Sequence, residues 1–170
     1  NITIEPAVAA YGIYSNGDLI VNGGVLNAAS IAYPTCEPGD EWQHYYSYKL
    51  AIGIRANNMT VNGGTVTAAG GLVDPHTGTT DSEREYHGIA LGYTNSTLTV
   101  YGGTLVVKSL GASVVGYNYF ALREDYATAP GGKIWATEDL DGKDPIEWPS
   151  EEEWQCSFSY MKFIGANGNG

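Results

Sequence analysis

The sequence predicts an all-β fold: a right-handed parallel β-helix of about four coils, with long loop insertions on one flank. Three observations carry this. A glycine-doublet phrase recurs along the chain. The short pieces inside each recurrence alternate apolar and polar residues at period two. No segment holds a helical period.

The first unit reads Gly12-Ile13, then Leu19-Ile20-Val21-Asn22-Gly23-Gly24-Val25-Leu26-Asn27-Ala28. The second reads Gly53-Ile54, then Met59-Thr60-Val61-Asn62-Gly63-Gly64-Thr65-Val66-Thr67-Ala68. The third has Gly88-Ile89, then Leu98-Thr99-Val100-Tyr101-Gly102-Gly103-Thr104-Leu105-Val106-Val107. A degenerate fourth runs from Ser113-Val114-Val115-Gly116 to Gly131-Gly132-Lys133-Ile134-Trp135-Ala136. The doublets begin at 23, 63, 102 and 131, in steps of 40, 39 and 29. Each unit holds three β-prone pieces, and tight glycine corners join them at angles a Cβ resists. One such coil cannot bury its apolar side; stacked coils can. A Gly-rich sandwich or meander is the alternative, but it gives the phrase no reason to repeat. Asn22 and Asn62 precede the corner and are expected to share amide hydrogen bonds. Tyr101 ends that ladder at the third unit.

The whole chain, 1–170, reads as one domain with core coils at about 1–29, 50–69, 88–108 and 113–137. Insertions at 30–49, 70–87 and 138–157 all follow a third strand, so they should emerge together. Fifteen of the 19 acidic residues lie in them, with three of the four Trp and all three His. Aromatic faces stack on the C–H face of a sugar ring, and carboxylates, amides and imidazoles accept from its hydroxyl rim. A flank so composed suits a polysaccharide or other glycan, through Trp42, His44, Tyr45, Tyr46, Tyr86, Trp148 and Trp154. Against this stands the plainer reading that such aromatics anchor their own loops.

Hard oxygen ligands make Ca²⁺ a candidate at Asp139, Asp141 and Asp144, although Lys143 intrudes and the order is not that of an EF-hand. No cofactor is required. Cys36 and Cys156 lie in the first and last insertions. Either they form a disulfide that ties the flank together, in keeping with secretion, or they are two unrelated thiols. About three rungs, roughly 14 Å, separate their coils.

Catalysis is the lesser expectation. A lyase needs a basic residue, and only Lys49, Arg84 and Lys143 reach the flank. A hydrolase built on sheet carboxylates finds Asp18 alone, although a pair within the loops stays open. His87 is a candidate base, yet it more simply fills the slot that Tyr11 and Ile52 hold in other coils. A net charge of −11 lacks the footprint of nucleic-acid binding. No apolar run is long enough for membrane insertion. The Asn1 start and the Gly-rich end suggest a processed or excised piece.

The phrase Gly-Ile … Leu-Thr-Val-x-Gly-Gly-Thr-Leu resembles coils in surface-exposed β-helix domains of Gram-positive bacteria. Some of these are carbohydrate-binding, including a clostridial type that binds plant polysaccharide and calcium; related repeats occur in adhesins. The resemblance covers Asn1 to about Ala136 and speaks for architecture, not activity. It implies a secreted or cell-surface module that binds glycans. The alternatives are a stalk or adhesin segment flanked by further repeats of the same polypeptide, and a polysaccharide lyase or glycoside hydrolase.

Overall fold

A computed structural model describes residues 9–30, 49–72, 84–92, 95–116, 126–149 and 158–167. Among them there is no helix, and the fold is all-β with three sheets, two of them wholly parallel. Sheet A orders β1 (Ala9–Tyr14), β4 (Lys49–Ala56), β7 (Arg84–Leu91) and β10 (Val114–Val115). Sheet B orders β2 (Leu19–Val21), β5 (Met59–Val61), β8 (Leu98–Val100) and β11 (Ala127–Thr128). Sheet C begins with β3 (Val25–Ser30), β6 (Thr65–Gly70) and β9 (Thr104–Ser109). Each unit therefore gives one strand to each sheet in turn.

Like residues pair. In sheet B, Leu19, Met59, Leu98 and Ala127 form one row, and Val21, Val61 and Val100 another. In sheet C, Leu26, Val66 and Leu105 align, as do Ala28, Ala68 and Val107. In sheet A, Ile13, Ile54, Ile89 and Val114 align. These rows form the core, and its middle members are fully buried. Period-two alternation explains why: every second side chain of each strand turns inward, toward the same interior.

The glycine corners superpose over three units. Gly24, Gly64 and Gly103 take φ of 81°, 84° and 72°, in the left-handed region. A Cβ on Gly64 would meet the backbone of Gly23 and Gly24, with the Gly23 carbonyl carbon at 2.7 Å. Beside the corner, Asn62 Nδ2 donates to Asn22 Oδ1 at 2.8 Å, the expected ladder. One turn earlier, Asn58 Nδ2 donates to Asp18 Oδ1 at 2.8 Å, and Asn58 Oδ1 accepts from Thr97 N at 2.9 Å.

The fourth unit departs from expectation. Its first two strands stack as anticipated, β10 on β7 and β11 on β8. Its third, β12 (Lys133–Thr137), does not pair with β9. An unanticipated strand, β14 (Tyr160–Ile164), runs antiparallel between them. Phe163 enters the row between Leu105 and Ile134, and Met161 enters between Val107 and Ala136. All these side chains are buried, Phe163 completely. The fourth doublet is also out of phase. Positive φ falls on Gly131, two residues before its strand, instead of on the residue just before it. The insertion 138–157 is not wholly loop either: β13 (Ile146–Glu147) pairs antiparallel with the outer edge of β12.

Two substitutions separate the causes of the corner glycines. Gly24→Ala meets open space and should cost only the left-handed penalty, about 1–2 kcal/mol. Gly64→Ala adds a backbone clash and should cost clearly more. Urea unfolding of the two variants checks the order; equal costs would refute the stacked-corner explanation.

Candidate functional site

Register decides where the insertions leave the scaffold. Ser30, Gly70 and Ser109 end their strands side by side. One residue back, Ala29, Ala69, Lys108, Tyr160 and Thr137 form a single row across sheet C. The insertions after β3, β6 and β12 therefore all depart from one end of that sheet. The first two return at Lys49 and Arg84, which are also paired. From β3 to β14, three strand spacings amount to about 14 Å. Cys36 lies six residues after Ser30 and Cys156 four before Tyr160. Both cysteines, with Trp42, His44, Tyr45, Tyr46 and Trp154, lie outside the described residues.

The two aromatic candidates within the described residues are buried. Tyr86 is 9% exposed. Trp148 is 3% exposed and packs in the main hydrophobic cluster with Phe158, Met161 and Phe163. Its backbone N–H donates to Ile134 O at 2.8 Å, which fixes it at the end of the β12–β13 hairpin. Among the described residues its indole Nε1 finds no acceptor. Trp148 is thus a core side chain, not an exposed platform for a sugar ring. Composition marked it as special but could not show its depth.

The acidic turn after β12 is held by its own groups. Asp139 Oδ1 accepts from Asp141 N at 2.9 Å and from Lys143 N at 3.3 Å. Thr137 Oγ1 donates to Lys143 O at 2.9 Å and accepts from Asp139 N at 3.1 Å. Gly142, at φ 78°, lies against the Tyr160 ring, where a Cβ would come within 2.8 Å. One Asp139 carboxylate oxygen is thereby committed to backbone amides. Among the described residues, no group of three or more His, Cys, Asp and Glu side chains could hold a metal ion.

His87 sits in register with Ile52, and Ile52 with Tyr11, the slot expected for it. It is 7% exposed, and its Nδ1 lies 3.0 Å from Ala112 O, so the proton on that nitrogen is donated to the carbonyl. Burial holds its pKa down to about 4, against the smaller opposing effect of that hydrogen bond. A neutral imidazole enclosed in this way is part of the packing of sheet A.

The structure also contains a groove that sequence reasoning missed. Its volume is about 620 Å³. Ala127, Ile134 and Trp148 are its buried lining; Thr128, Pro130 and Pro149 stand around them. Lys133 and Glu147 pair across its rim at 3.2 Å, each 56% exposed, so the pair adds little stability. No pattern in the sequence announces this groove, because it arises where β12 and β13 extend sheet C past β11.

No known family's sequence profile, no curated protein and no solved structure matches this chain.

Two outcomes test these assignments. Trp148→Ala should cost about 3–5 kcal/mol in urea unfolding, as expected for a buried aromatic; a cost below about 0.5 kcal/mol would mean that the indole is exposed. The second is pH dependence. The folded pKa of His87, about 4, lies below its unfolded value of about 6.5, so the unfolded chain binds the extra proton between these values. The stability contributed by neutral His87 is complete above about pH 6.5 and is lost as pH falls toward 4. Over that window the wild type should lose roughly 3 kcal/mol more than His87→Ile. Matching pH profiles for the two proteins would refute the buried neutral imidazole.

Proposed function

We propose that the three sheets belong to a right-handed parallel β-helix, and that this scaffold carries a non-catalytic carbohydrate-binding surface, secreted or at the cell surface. Strand order supports the architecture: the chain visits sheets A, B and C in the same sequence three times, each strand running parallel to its counterpart in the adjacent unit. The right hand follows the strong preference of parallel crossovers. The resemblance of the repeated phrase to coils of bacterial surface domains points the same way.

One observation carries the functional reading. The row from Ala29 to Thr137 gathers the bases of the three insertions along one end of one sheet. Residues far apart in sequence, Trp42, His44, Tyr45, Tyr46 and Trp154, are thereby tethered to the same end of one sheet, on strands about 14 Å apart. Functional groups on loops held by a rigid frame are a common arrangement for recognition. Trp148 and Tyr86 drop out of the contact set and serve the frame. The ligand is a glycan, with stacking supplied by Trp42 and Trp154 and hydroxyl contacts by His44 and the acidic residues. The reading requires no cofactor; Ca²⁺ is an optional contributor through Asp141 and Asp144, whose carboxylates the turn leaves free. Among the described residues no helix is long and apolar enough to cross a membrane.

Affinity electrophoresis on neutral and acidic polysaccharides tests the proposal. Retention should occur with at least one polymer and fall by about tenfold or more in Trp42→Ala or Trp154→Ala, the loss of one stacked ring. Lack of retention on every polymer would sink it, as would retention indifferent to both tryptophans.

A further inference from the structure

We propose that the open edge of the first unit joins two copies of this chain about a two-fold axis, with β3 running antiparallel to β3 of the second copy. The two ends of the strand stack differ. At the far end, sheet C continues through β14, β12 and β13, while sheet B stops at β11. At the near end, β1, β2 and β3 each terminate their sheets together, with no strand beside them among the described residues.

That near end is apolar and accessible. Val25 is 75% exposed and Ile20 59%. Leu19 and Leu26 are half-buried, while Met59 and Val66, one rung inward, are wholly buried. The backbone is open as well. Thr65 N donates to Gly24 O at 2.8 Å, so Gly24 faces β6. By alternation Val25, Asn27 and Ala29 turn their N–H and C=O groups to the open edge, and all three residues are exposed. Residues 9–30 contain no Lys, Arg, Glu or Pro, the residues that usually guard such an edge.

Two features select a second copy, joined edge to like edge. First, the far end is irregular, because antiparallel β14 and β13 leave sheet C two strands longer than sheet B. It offers no three-strand face to receive β1, β2 and β3, so head-to-tail stacking is blocked. Second, each copy carries a net charge of −11, and fifteen of its acids lie in the insertions. Within residues 9–30 only Asp18 is charged, so the described part of this edge adds little repulsion between two such copies. A two-fold contact uses the same patch twice and closes, and an antiparallel ladder satisfies both edges at once.

Sedimentation velocity of the full chain, from about 5 to about 200 µM, should show a dimer. The double substitution Val25→Lys with Asn27→Lys sets like charges across the axis, and should raise the dissociation constant about 100-fold or more. It should leave the far-ultraviolet spectrum and the melting temperature of the dilute protein unchanged. Ile146→Lys, at the far end, should leave the dimer intact. A monomer at every concentration would overturn the proposal, as would a dimer that survives the double lysine substitution or growth into longer species. So would slow hydrogen exchange of the Asn27 and Ala29 amides in dilute monomer, since the chain itself would then already pair that edge.

Discussion

A slip of one residue between any two neighbouring strands would turn Val66, Leu105 and the rest of their row from core to solvent. Nearly everything in the molecule follows from the register that prevents this. It is enforced twice in each unit. The apolar rows reward only one alignment, because the opposite face of strands such as β5, β6 and β8 carries Thr60, Thr65, Thr67 and Thr99. The glycine corners permit only one alignment, because Gly64 and Gly103 each lie directly against the corner before. Backbone bonds across that corner, such as Thr104 N to Gly64 O at 2.9 Å, leave no room for an offset. Side-chain amides at Asn22 and Asn62 repeat the same constraint with a polar group, at an exposed place where hydrophobic burial could not supply it.

The same rows explain how an antiparallel strand could enter a parallel stack. A row needs only an apolar side chain at the right height and on the right face, and it does not distinguish strand direction. Tyr160 to Ile164 alternates, presenting Met161 and Phe163 inward with Tyr160 and Lys162 outward. Both large side chains find continuous rows already begun by Val107 and Leu105. Burial of Phe163 alone is worth roughly 2–3 kcal/mol, several times what the small pairing difference between parallel and antiparallel ladders could oppose. With β14 in place, the fourth corner packs against Ile164, Gly165 and Ala166 instead of against the corner at Gly103. The phase shift at Gly131 is the local consequence.

Much of this was legible in the residues themselves. The rows in sheets A, B and C could be read from Leu-x-Val and Gly-Ile alone, and so could the slot that His87 shares with Tyr11 and Ile52. What could not be read has physical reasons. β14 alternates as clearly as any other strand, but it carries no glycine doublet, so the repeated phrase does not mark it. Trp148 has the same composition signal whether it sits in a loop or in a core. Its depth comes from the β12–β13 hairpin, which Pro149 and the acidic turn at Asp139 do not announce. Most of the proposed glycan contacts fall in segments without periodicity, where sequence fixes neither direction nor depth.

Because each rung touches only its neighbours, stability in such a stack is close to a sum of local terms. Among the described residues the first unit has a neighbour on one side only, and its half-buried Leu19 and Leu26 show the deficit. It is also the unit from which the insertion bearing Trp42, His44, Tyr45 and Tyr46 departs. The richest aromatic segment is therefore tethered to the least supported rung. Any contact that covers the open edge of β3 would steady Ser30, the last described residue before that insertion. Edge pairing and glycan recognition would then draw on the same local free energy. Occupying one should favour the other by reducing the ordering cost that remains.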